Sequence, residues 1–175
     1  GKRFIFRSAA SLVQVLGGIE RKPLLIREEL VPDDNPNGGL IVIGSHVKKT
    51  SDQLERLRTR SDLFFVEMNQ HLVVDPPAFE QERIRISNIV NEKISEGTTV
   101  AVYTKRDRFD LNTENKADEL RAANEISMKL TDIVRSLEVK PSFLVGKGGI
   151  TSSDIGTKGL EVRKAMVMGQ ILPGV

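Results

Sequence analysis

Short apolar runs alternate with amphipathic stretches along most of this chain. Runs rich in β-branched and aromatic residues predict strands, and apolar positions that recur every three or four residues predict helices. The predicted strands are Leu40–Gly44, Leu63–Val66, Thr98–Tyr103, Ser142–Val145 and Ala165–Gln170. The predicted helices are Ala9–Leu16, Thr50–Arg60, Phe79–Ser95, Ala117–Leu137 and Ser152–Gly159. This alternation predicts an α/β fold, with a three-layer α/β/α arrangement and a mainly parallel sheet.

Turn-forming residues are concentrated at 32–39, where the sequence reads PDDNPNGG. Such a cluster is typical of a connector between folded segments. We therefore predict a terminal segment at 1–31, a linker at 32–39 and a main domain at 40–175. The chain opens on a strand-like apolar pattern and closes on a turn-like Pro-Gly-Val, so we expect it to be part of a longer polypeptide, with the main domain truncated at its C-terminus.

Composition narrows the classes of partner. The apolar content of 39% and the charged content of 29% are those of an ordinary water-soluble domain. The chain has no cysteine, which excludes disulfides and thiolate metal sites and is compatible with the cytoplasm. A net charge of +2 provides no strong field for nucleic acid or for an anionic membrane. We expect neither as a partner, and a homo-oligomer is left open.

The segment after the fourth predicted strand reads GKGGITSSD and combines glycines, hydroxyls and a helix start. Glycines at Gly148 and Gly149 permit close backbone approach to a phosphate, and Thr151 offers a hydroxyl and an N–H group. Ser45, which follows the first strand of the main domain, offers the same two donors. The spacing matches neither a P-loop nor a dinucleotide fingerprint, so on local chemistry alone a purely structural turn is as compatible as a ligand site.

Other polar residues give weaker signals. Lys147 suits either the neutralisation of a phosphoryl group or a solvated loop. Asp154 suits a water-mediated contact with Mg²⁺, but capping of the following turn is the more common role of such an acid. His46 and His71 lack a ligand pattern, and no metal site is predicted. The basic run 105–108 is interpreted as a solvated loop.

Three longer stretches carry a family resemblance: RSAASLVQVLGGIERKPLL at 7–25, LIVIGSHVKKTSDQLERL at 40–57, and FLVGKGGITSSDIGTKGLEVRKAMVMGQILPGV at 143–175. They resemble the four-carbon acid sugar kinase family. The first is similar to the closing part of that family's N-terminal substrate-binding domain. The other two are similar to the opening strand-turn-helix and the glycine-rich signature of its C-terminal nucleotide-binding domain. Residues 60–140 match mainly by pattern.

The resemblance implies phosphorylation of a hydroxyl group on a four-carbon sugar acid, such as a tetronate or 3-oxo-tetronate, with ATP and Mg²⁺. By position it implies nucleotide contacts at Ser45, Gly148, Gly149, Ile150 and Thr151, with Lys147 and Gly174 as possible further contacts. It identifies no catalytic residue. Ile150 stands where many bacterial members carry an acid, so the role of that acid is in doubt here.

In the family, the N-terminal domain provides most contacts with the sugar acid. We therefore expect the 175-residue chain to have little or no kinase activity by itself. One alternative is a non-catalytic α/β module that senses a nucleotide or a sugar phosphate and binds it unaided. Another is an interaction domain whose glycine-rich turn is only structural.

Overall fold

The computed structural model describes residues 4–8, 10–31, 34–111, 113 and 115–172. It divides into two compact units. The larger unit comprises residues 31–165, and the smaller one comprises the described parts of 1–30 and 166–175. The predicted domain limits and the linker at 32–39 stay predictions.

The larger unit contains one parallel β-sheet. Its strands are β1 (Leu40–Ile43), β2 (Leu63–Met68), β3 (Thr99–Thr104) and β4 (Leu144–Lys147). Their order across the sheet is β2-β3-β1-β4, and every neighbouring pair is parallel. The register places Ile43 at the end of β1 beside Tyr103 on one side and Lys147 on the other. The carboxyl ends of the three strands β3, β1 and β4 therefore lie along one edge.

Helices surround this sheet within the larger unit. The α-helices in the described part of the chain are α1 (Ala10–Leu16), α2 (Arg27–Leu30), α3 (Lys48–Leu57), α4 (Pro76–Ser95), α5 (Lys116–Arg135) and α6 (Gly149–Asp154). A 3₁₀ turn at Gln70–Val74 precedes α4, and a π-helical turn at Ile155–Gly159 continues α6. The first two helices belong to the smaller unit and the other four to the larger one.

Both faces of the sheet are covered. On one face, Leu40, Val42 and Val102 are fully buried in a cluster that includes residues of α4 and α5. On the other face, Ile43 and Tyr103 pack with Leu54 of α3. Full burial of an aliphatic side chain contributes about 1.5–3 kcal/mol, so these positions make the largest contributions to stability. Helices on both faces confirm the predicted three-layer α/β/α fold with a parallel sheet.

Capping residues explain where the two long helices begin. Asp75 accepts a hydrogen bond from the Ala78 N–H group at 3.2 Å, and Pro76 occupies the first helical position, where a missing N–H group costs nothing. Helix α4 therefore begins at Pro76, three residues before the predicted start. In α5 the Asn115 side chain accepts from the Ala117 N–H group at 3.0 Å.

Most predicted elements differ from the observed ones by a few residues at their ends, and two strand predictions differ by more. Residues 165–170, all of them described, form no strand, so the predicted strand Ala165–Gln170 is wrong. A strand needs a partner along its length, and to the described residues this segment makes one backbone bond, from the Leu25 N–H group to the Gln170 carbonyl at 2.8 Å. The predicted strand Ser142–Val145 is displaced: β4 continues through Gly146 and Lys147, which pair with Val42 and Ile43.

The smaller unit is thinly packed. It contains α1 and α2, together with the 2.8 Å backbone bond between Leu25 and Gln170. The rings of Phe4 and Phe6 lie 6.1 Å apart. Among the described residues of this unit whose exposure is given, none is buried. The unit therefore lacks an apolar core of its own in the part of the chain that the structure describes.

An ionic contact joins α4 to α5. The Glu80 carboxylate accepts from Arg83 Nη2 at 2.6 Å and from Lys129 Nζ at 2.5 Å. The bond from Arg83 and then the bond from Lys129 lower the pKa of Glu80 from 4.5 to about 2. Because the pKa of Glu80 is lower in the folded state, its ion pairs stabilise the fold at pH values above the unfolded-state pKa of 4.5. This stabilisation is lost as the pH falls towards the folded-state pKa of about 2.

Replacement of Glu80 by glutamine is expected to lower the free energy of unfolding by about 1 kcal/mol at neutral pH. This change in the free energy of unfolding is small because the Glu80 side chain is 41% exposed, and partly exposed ion pairs contribute about 0.2–1 kcal/mol each. The difference between parent and variant should disappear between pH 4.5 and about 2. Urea denaturation over that range measures it. Asp62→Asn, which removes a fully exposed partner of Arg60, is the control and should change little; a pH-independent effect of Glu80→Gln would contradict the prediction.

Candidate functional site

The two turns predicted to bind phosphate lie side by side. Strands β1 and β4 are neighbours, and Ile43 is opposite Lys147 in their register. The Gly44-Ser45 turn follows β1, and Gly148 follows β4. In open α/β sheets, ligands bind beyond the carboxyl ends of the strands. The sequence did not reveal the strand order, and the structure brings both turns to the same edge.

Glycines allow the close contact between these turns. Gly148 has a φ of 114°, a conformation that other residues rarely adopt, and a Cβ atom there would lie 3.1 Å from Ser45 Cβ. A Cβ atom at Gly44 would lie 2.5 Å from Thr151 Oγ1. The Thr151 side chain therefore packs against the backbone of the β1 turn, and Ser45 packs against that of the β4 turn.

The other two glycines of the segment have different surroundings. A Cβ atom at Gly146 would lie 3.0 Å from the Cα of Ser152, so this glycine permits close packing of β4 against α6. A Cβ atom at Gly149 would meet no described atom within 4 Å. Gly149 is the first residue of α6, and open space lies directly over its backbone. Gly149 therefore has no packing role in the described structure.

A cleft over this edge of the sheet contains two adjoining pockets. The first, here called the turn pocket, has a volume of about 250 Å³. Its walls are the two turns, Ser45 and Gly148–Thr151, and the middle of α5 around Ser127. The second, here called the loop pocket, has a volume of about 230 Å³ and lies between the start of α5 and the loop that follows β3. Gly44, Ala123 and Ile126 line both pockets, so the two pockets share a wall.

Gln70 lies at the base of the loop pocket and is 1% exposed. Its Nε2 donates to the Lys105 carbonyl at 2.8 Å and to the Asp107 carbonyl at 2.9 Å. These two bonds fix the orientation of the amide, because carbonyl oxygens accept and the nitrogen end must face them. Its Oε1 is buried and has no hydrogen bond partner among the described residues.

His46 lines the same pocket and is held as a neutral imidazole. Its Nε2 lies 3.0 Å from Thr104 Oγ1. Burial, and after it the charges of Arg106 and Arg108, lower the pKa of His46 below its ordinary value of 6.5, although a backbone contact with Arg106 opposes this. Protonation is therefore disfavoured at neutral pH, and His46 brings no positive charge to the pocket.

Arg106 connects the end of β3 to the Ser45 turn. Its Nη2 donates to the Ser45 carbonyl and to Ser51 Oγ, both at 2.8 Å. Its Nε and Nη1 are buried and lack a partner within the described ranges. Burial, followed by the charge of Arg58, lowers the pKa of Arg106, but a guanidinium stays charged at neutral pH. The basic run at 105–108 therefore includes a residue that positions the Ser45 turn, which the sequence interpretation as a solvated loop did not predict.

The predicted contact residues have distinct environments. Ile150 is 75% exposed and Thr151 is 8% exposed, and both line the turn pocket. Lys147 ends β4 and is not among the described residues that line either pocket. Gly174 lies outside the described residues. Nucleotide contact at each of these positions remains a prediction.

Asp154 is engaged in contacts within the fold. It accepts from Ser127 Oγ at 2.8 Å and pairs with Lys158 Nζ at 2.8 Å. The bond from Lys158 and then that from Ser127 lower the pKa of Asp154. Within the described parts of the chain, no group of three His, Cys, Asp or Glu residues is arranged to hold a metal ion. A divalent cation held by this chain alone therefore does not fit the described residues.

The sequence did not predict that residues of α5 and Gln70 line the cleft. Ala122, Ala123 and Ile126 line the cleft from α5, and Gln70 reaches it from the 3₁₀ turn. The consecutive alanines Ala122 and Ala123, in an otherwise polar stretch of helix, could have indicated that α5 lines a cleft, because small side chains leave room above a sheet edge. No comparable signal marks Gln70, whose role depends on backbone carbonyls 35 and 37 residues away.

The model of a family described as the nucleotide-binding C-terminal domain matches residues 40–175, which is most of the chain. No curated protein matches the chain. No helix in the described ranges combines the length and the apolar character that crossing a bilayer requires. The matched domain is the C-terminal domain of the four-carbon acid sugar kinases, and the chain belongs to that family.

Proposed function

We propose that this chain is the ATP-binding part of a kinase that phosphorylates a hydroxyl group of a four-carbon sugar acid, such as a tetronate or 3-oxo-tetronate. The observation that carries the proposal is the direct contact between the Ser45 turn and the Gly148 turn on neighbouring strands. The nucleotide-binding family match supports the nucleotide. Family membership supports the sugar acid, since the described residues contain no feature that selects one acid.

In this proposal the turn pocket binds the phosphates of ATP. Gly149 presents its backbone to open space, and the positive φ of Gly148 turns the chain between β4 and the pocket-lining residues that follow. Ser45 and Thr151, which both line this pocket, supply hydroxyl groups. Phosphoryl transfer depends on positioning and on neutralisation of charge more than on covalent steps, and this pocket provides the positioning.

Mg²⁺ enters the proposal as part of the nucleotide substrate. A resident ion does not fit, because the described residues offer no cluster of ligands for one. Mg²⁺ in proteins is commonly held by substrate phosphates, waters and one or two carboxylates. What the chain itself does is to place the phosphate groups at the sheet edge and hold them beside α5.

Binding and phosphorylation are tested in two parts. Calorimetric titration of the 175-residue chain with Mg–ATP, extended into the millimolar range, tests nucleotide binding. A coupled assay of ADP release, with a panel of tetronates and a protein that pairs this chain with a family substrate-binding domain, tests phosphorylation. We expect weak binding to the chain alone and turnover only in the paired protein, because the acceptor hydroxyl must be held in line with ATP.

The same experiment separates the kinase from a nucleotide sensor. In a kinase, the sugar acid and the substrate-binding domain should raise the affinity for ATP, since binding at coupled sites is reciprocal. A sensor would bind its ligand with the same affinity in the isolated chain and in the paired protein. Mg–ATP binding without any turnover on the panel would favour the sensor, and no binding in either protein would refute both functions.

A further inference from the structure

We propose that Arg106 supplies the positive charge that binds the phosphates of ATP, and that it acts through the Ser45 turn, which it also holds in place. This inference rests on the proposed function, because it concerns the phosphates that we place in the turn pocket. Arg106 is not among the described residues that line that pocket, but its Nη2 donates to the Ser45 carbonyl at 2.8 Å. It is therefore a positioning residue that acts through another.

The turn pocket has no charged side chain in its described lining. Its walls consist of glycine, alanine, serine, threonine, leucine and isoleucine residues. Hydroxyl and N–H groups orient a polyphosphate, but its negative charges are also neutralised in sites that transfer phosphoryl groups. Lys147, at the end of β4, is outside this lining as well. The positive charge for a phosphate must therefore come from a residue beyond the walls of the pocket.

Arg106 has a charge that is not neutralised by an acid of its own in the described structure. The acid whose charge acts on Arg106 is Glu55, and the Glu55 carboxylate is already paired with Arg58 Nη1 at 3.1 Å. The Nε and Nη1 atoms of Arg106 are buried and have no hydrogen bond partner in the part of the chain that the structure describes. A buried cation without a counter-ion is costly, and an anion that binds nearby reduces this cost.

Two hydrogen bonds hold this charge beside the turn pocket. A single nitrogen, Arg106 Nη2, donates to the Ser45 carbonyl and to Ser51 Oγ, both at 2.8 Å. Ser45 lines the turn pocket, so one residue separates the guanidinium from the proposed phosphate. The interaction between two charges is stronger beside buried atoms than in bulk water, because the effective dielectric constant is lower there. Arg106 can therefore attract a phosphate without contacting it.

Removal of the charge is the first test. The protein that pairs this chain with a substrate-binding domain is titrated by calorimetry with the Mg²⁺ complexes of ATP and of inorganic tripolyphosphate. We expect Arg106→Gln to weaken both ligands about tenfold and by the same factor, because the charge acts on the phosphates that both ligands share. Arg106→Lys should recover most of this affinity, since one nitrogen makes both bonds and an ammonium group has three donors.

Arg58→Gln is the matched control for Arg106→Gln. It removes a positive charge from the same neighbourhood, but Arg58 is already paired with Glu55 and donates to the Tyr103 hydroxyl at 2.6 Å instead of to the Ser45 turn. We therefore expect it to change the affinity for either ligand by less than about twofold. Thermal melting verifies that the variants fold.

A second test neutralises the charge of Arg106 without removing the residue. Ser51 Oγ is 2.8 Å from Arg106 Nη2, so Ser51→Asp places a carboxylate beside the guanidinium. We expect Ser51→Asp to weaken both ligands about tenfold, because the carboxylate competes with the phosphates for the same charge. Ser51→Asn has a side chain of the same shape without the charge and should bind both ligands much as the parent does. This pair of variants tests the inference even if Arg106→Gln does not fold.

The possible results separate this inference from the proposed function. Parent-like affinities in a folded Arg106→Gln variant or in Ser51→Asp would overturn the inference and leave the proposed function intact. A loss in Arg58→Gln equal to that in Arg106→Gln, or a loss for ATP without a loss for tripolyphosphate, would do the same. If the parent protein binds neither ligand, the proposed function fails, and this inference fails with it.

Discussion

ATP binding is expected to weaken by about 100-fold or more when Gly149 is replaced by valine. Gly149 lines the turn pocket, and a side chain there would project into space that no described atom occupies. That space is where we propose a phosphate group. Valine would hold the phosphate away from the backbone, and hydrogen bonds to charged groups contribute about 1.5–3 kcal/mol each. The loss of one or two corresponds to roughly 100-fold in the dissociation constant, which calorimetry with Mg–ATP measures in the protein paired with a substrate-binding domain.

Gly156→Val is the matched control for this variant. A Cβ atom at Gly156 also meets nothing within 4 Å among the described residues, and Gly156 lies on the π-helical turn beyond α6, outside the lining of the turn pocket. Thermal melting should show that both variants stay folded. If Gly149→Val binds Mg–ATP as the parent does, or if both variants lose affinity equally, the turn pocket does not bind the phosphates.

The second large effect is expected on stability. Replacement of Gly38 by alanine should lower the free energy of unfolding by about 3 kcal/mol, the upper range for overpacking a core. Gly38 is buried, and both of its backbone polar groups are hydrogen-bonded. Its N–H group donates to the Ile94 carbonyl at 2.8 Å, and its carbonyl accepts from the Ser142 N–H group at 3.0 Å. An added Cβ atom would lie 1.9 Å from the Thr98 carbonyl oxygen. Because the obstacle is backbone, no side-chain rotation can relieve it.

Urea denaturation of Gly38→Ala beside Gly149→Ala measures this effect. The two variants carry the same chemical change, but the added methyl group at Gly149 lies in open space as far as the described residues extend. Gly149→Ala should therefore leave the free energy of unfolding unchanged or raise it slightly, since alanine is favoured over glycine in a helix. Similar stabilities for Gly38→Ala and the parent would show that the backbone at the start of β1 shifts easily.

The sequence was a good guide to the elements that are buried on both faces. Strands β1 and β3 are continuous apolar runs, and they lie in the interior of the sheet with Val42 and Val102 at 0% exposure. Near the end of the chain, the sequence pattern predicted a strand that the structure does not contain. Residues 165–170 read AMVMGQ and are mostly apolar, but they contain a single β-branched residue together with Ala and Gly, which are depleted in strands, so apolar character alone misled the prediction.

The sequence predicted only part of the candidate site. Glycines and hydroxyls after predicted strands identified the two turns, because turns of this kind are encoded locally. The position of β4 beside β1, which brings Ser45 to Gly148, depends on strand order and is not encoded in either turn. Gln70 and Arg106 act through carbonyl groups of distant residues, so no short sequence pattern marks them.

The loop after β3 is fastened at several points before any ligand is present. The Lys105 N–H group donates to the Met68 carbonyl at 2.9 Å, Gln70 holds the carbonyls of Lys105 and Asp107, and His71 Nε2 lies 3.0 Å from the latter. This loop is thus preorganised, because its conformational entropy is lost when the protein folds and not when a ligand binds. An incoming ligand therefore meets a loop that bonds within the chain already hold, and differences in affinity between ligands should reside in their residence times.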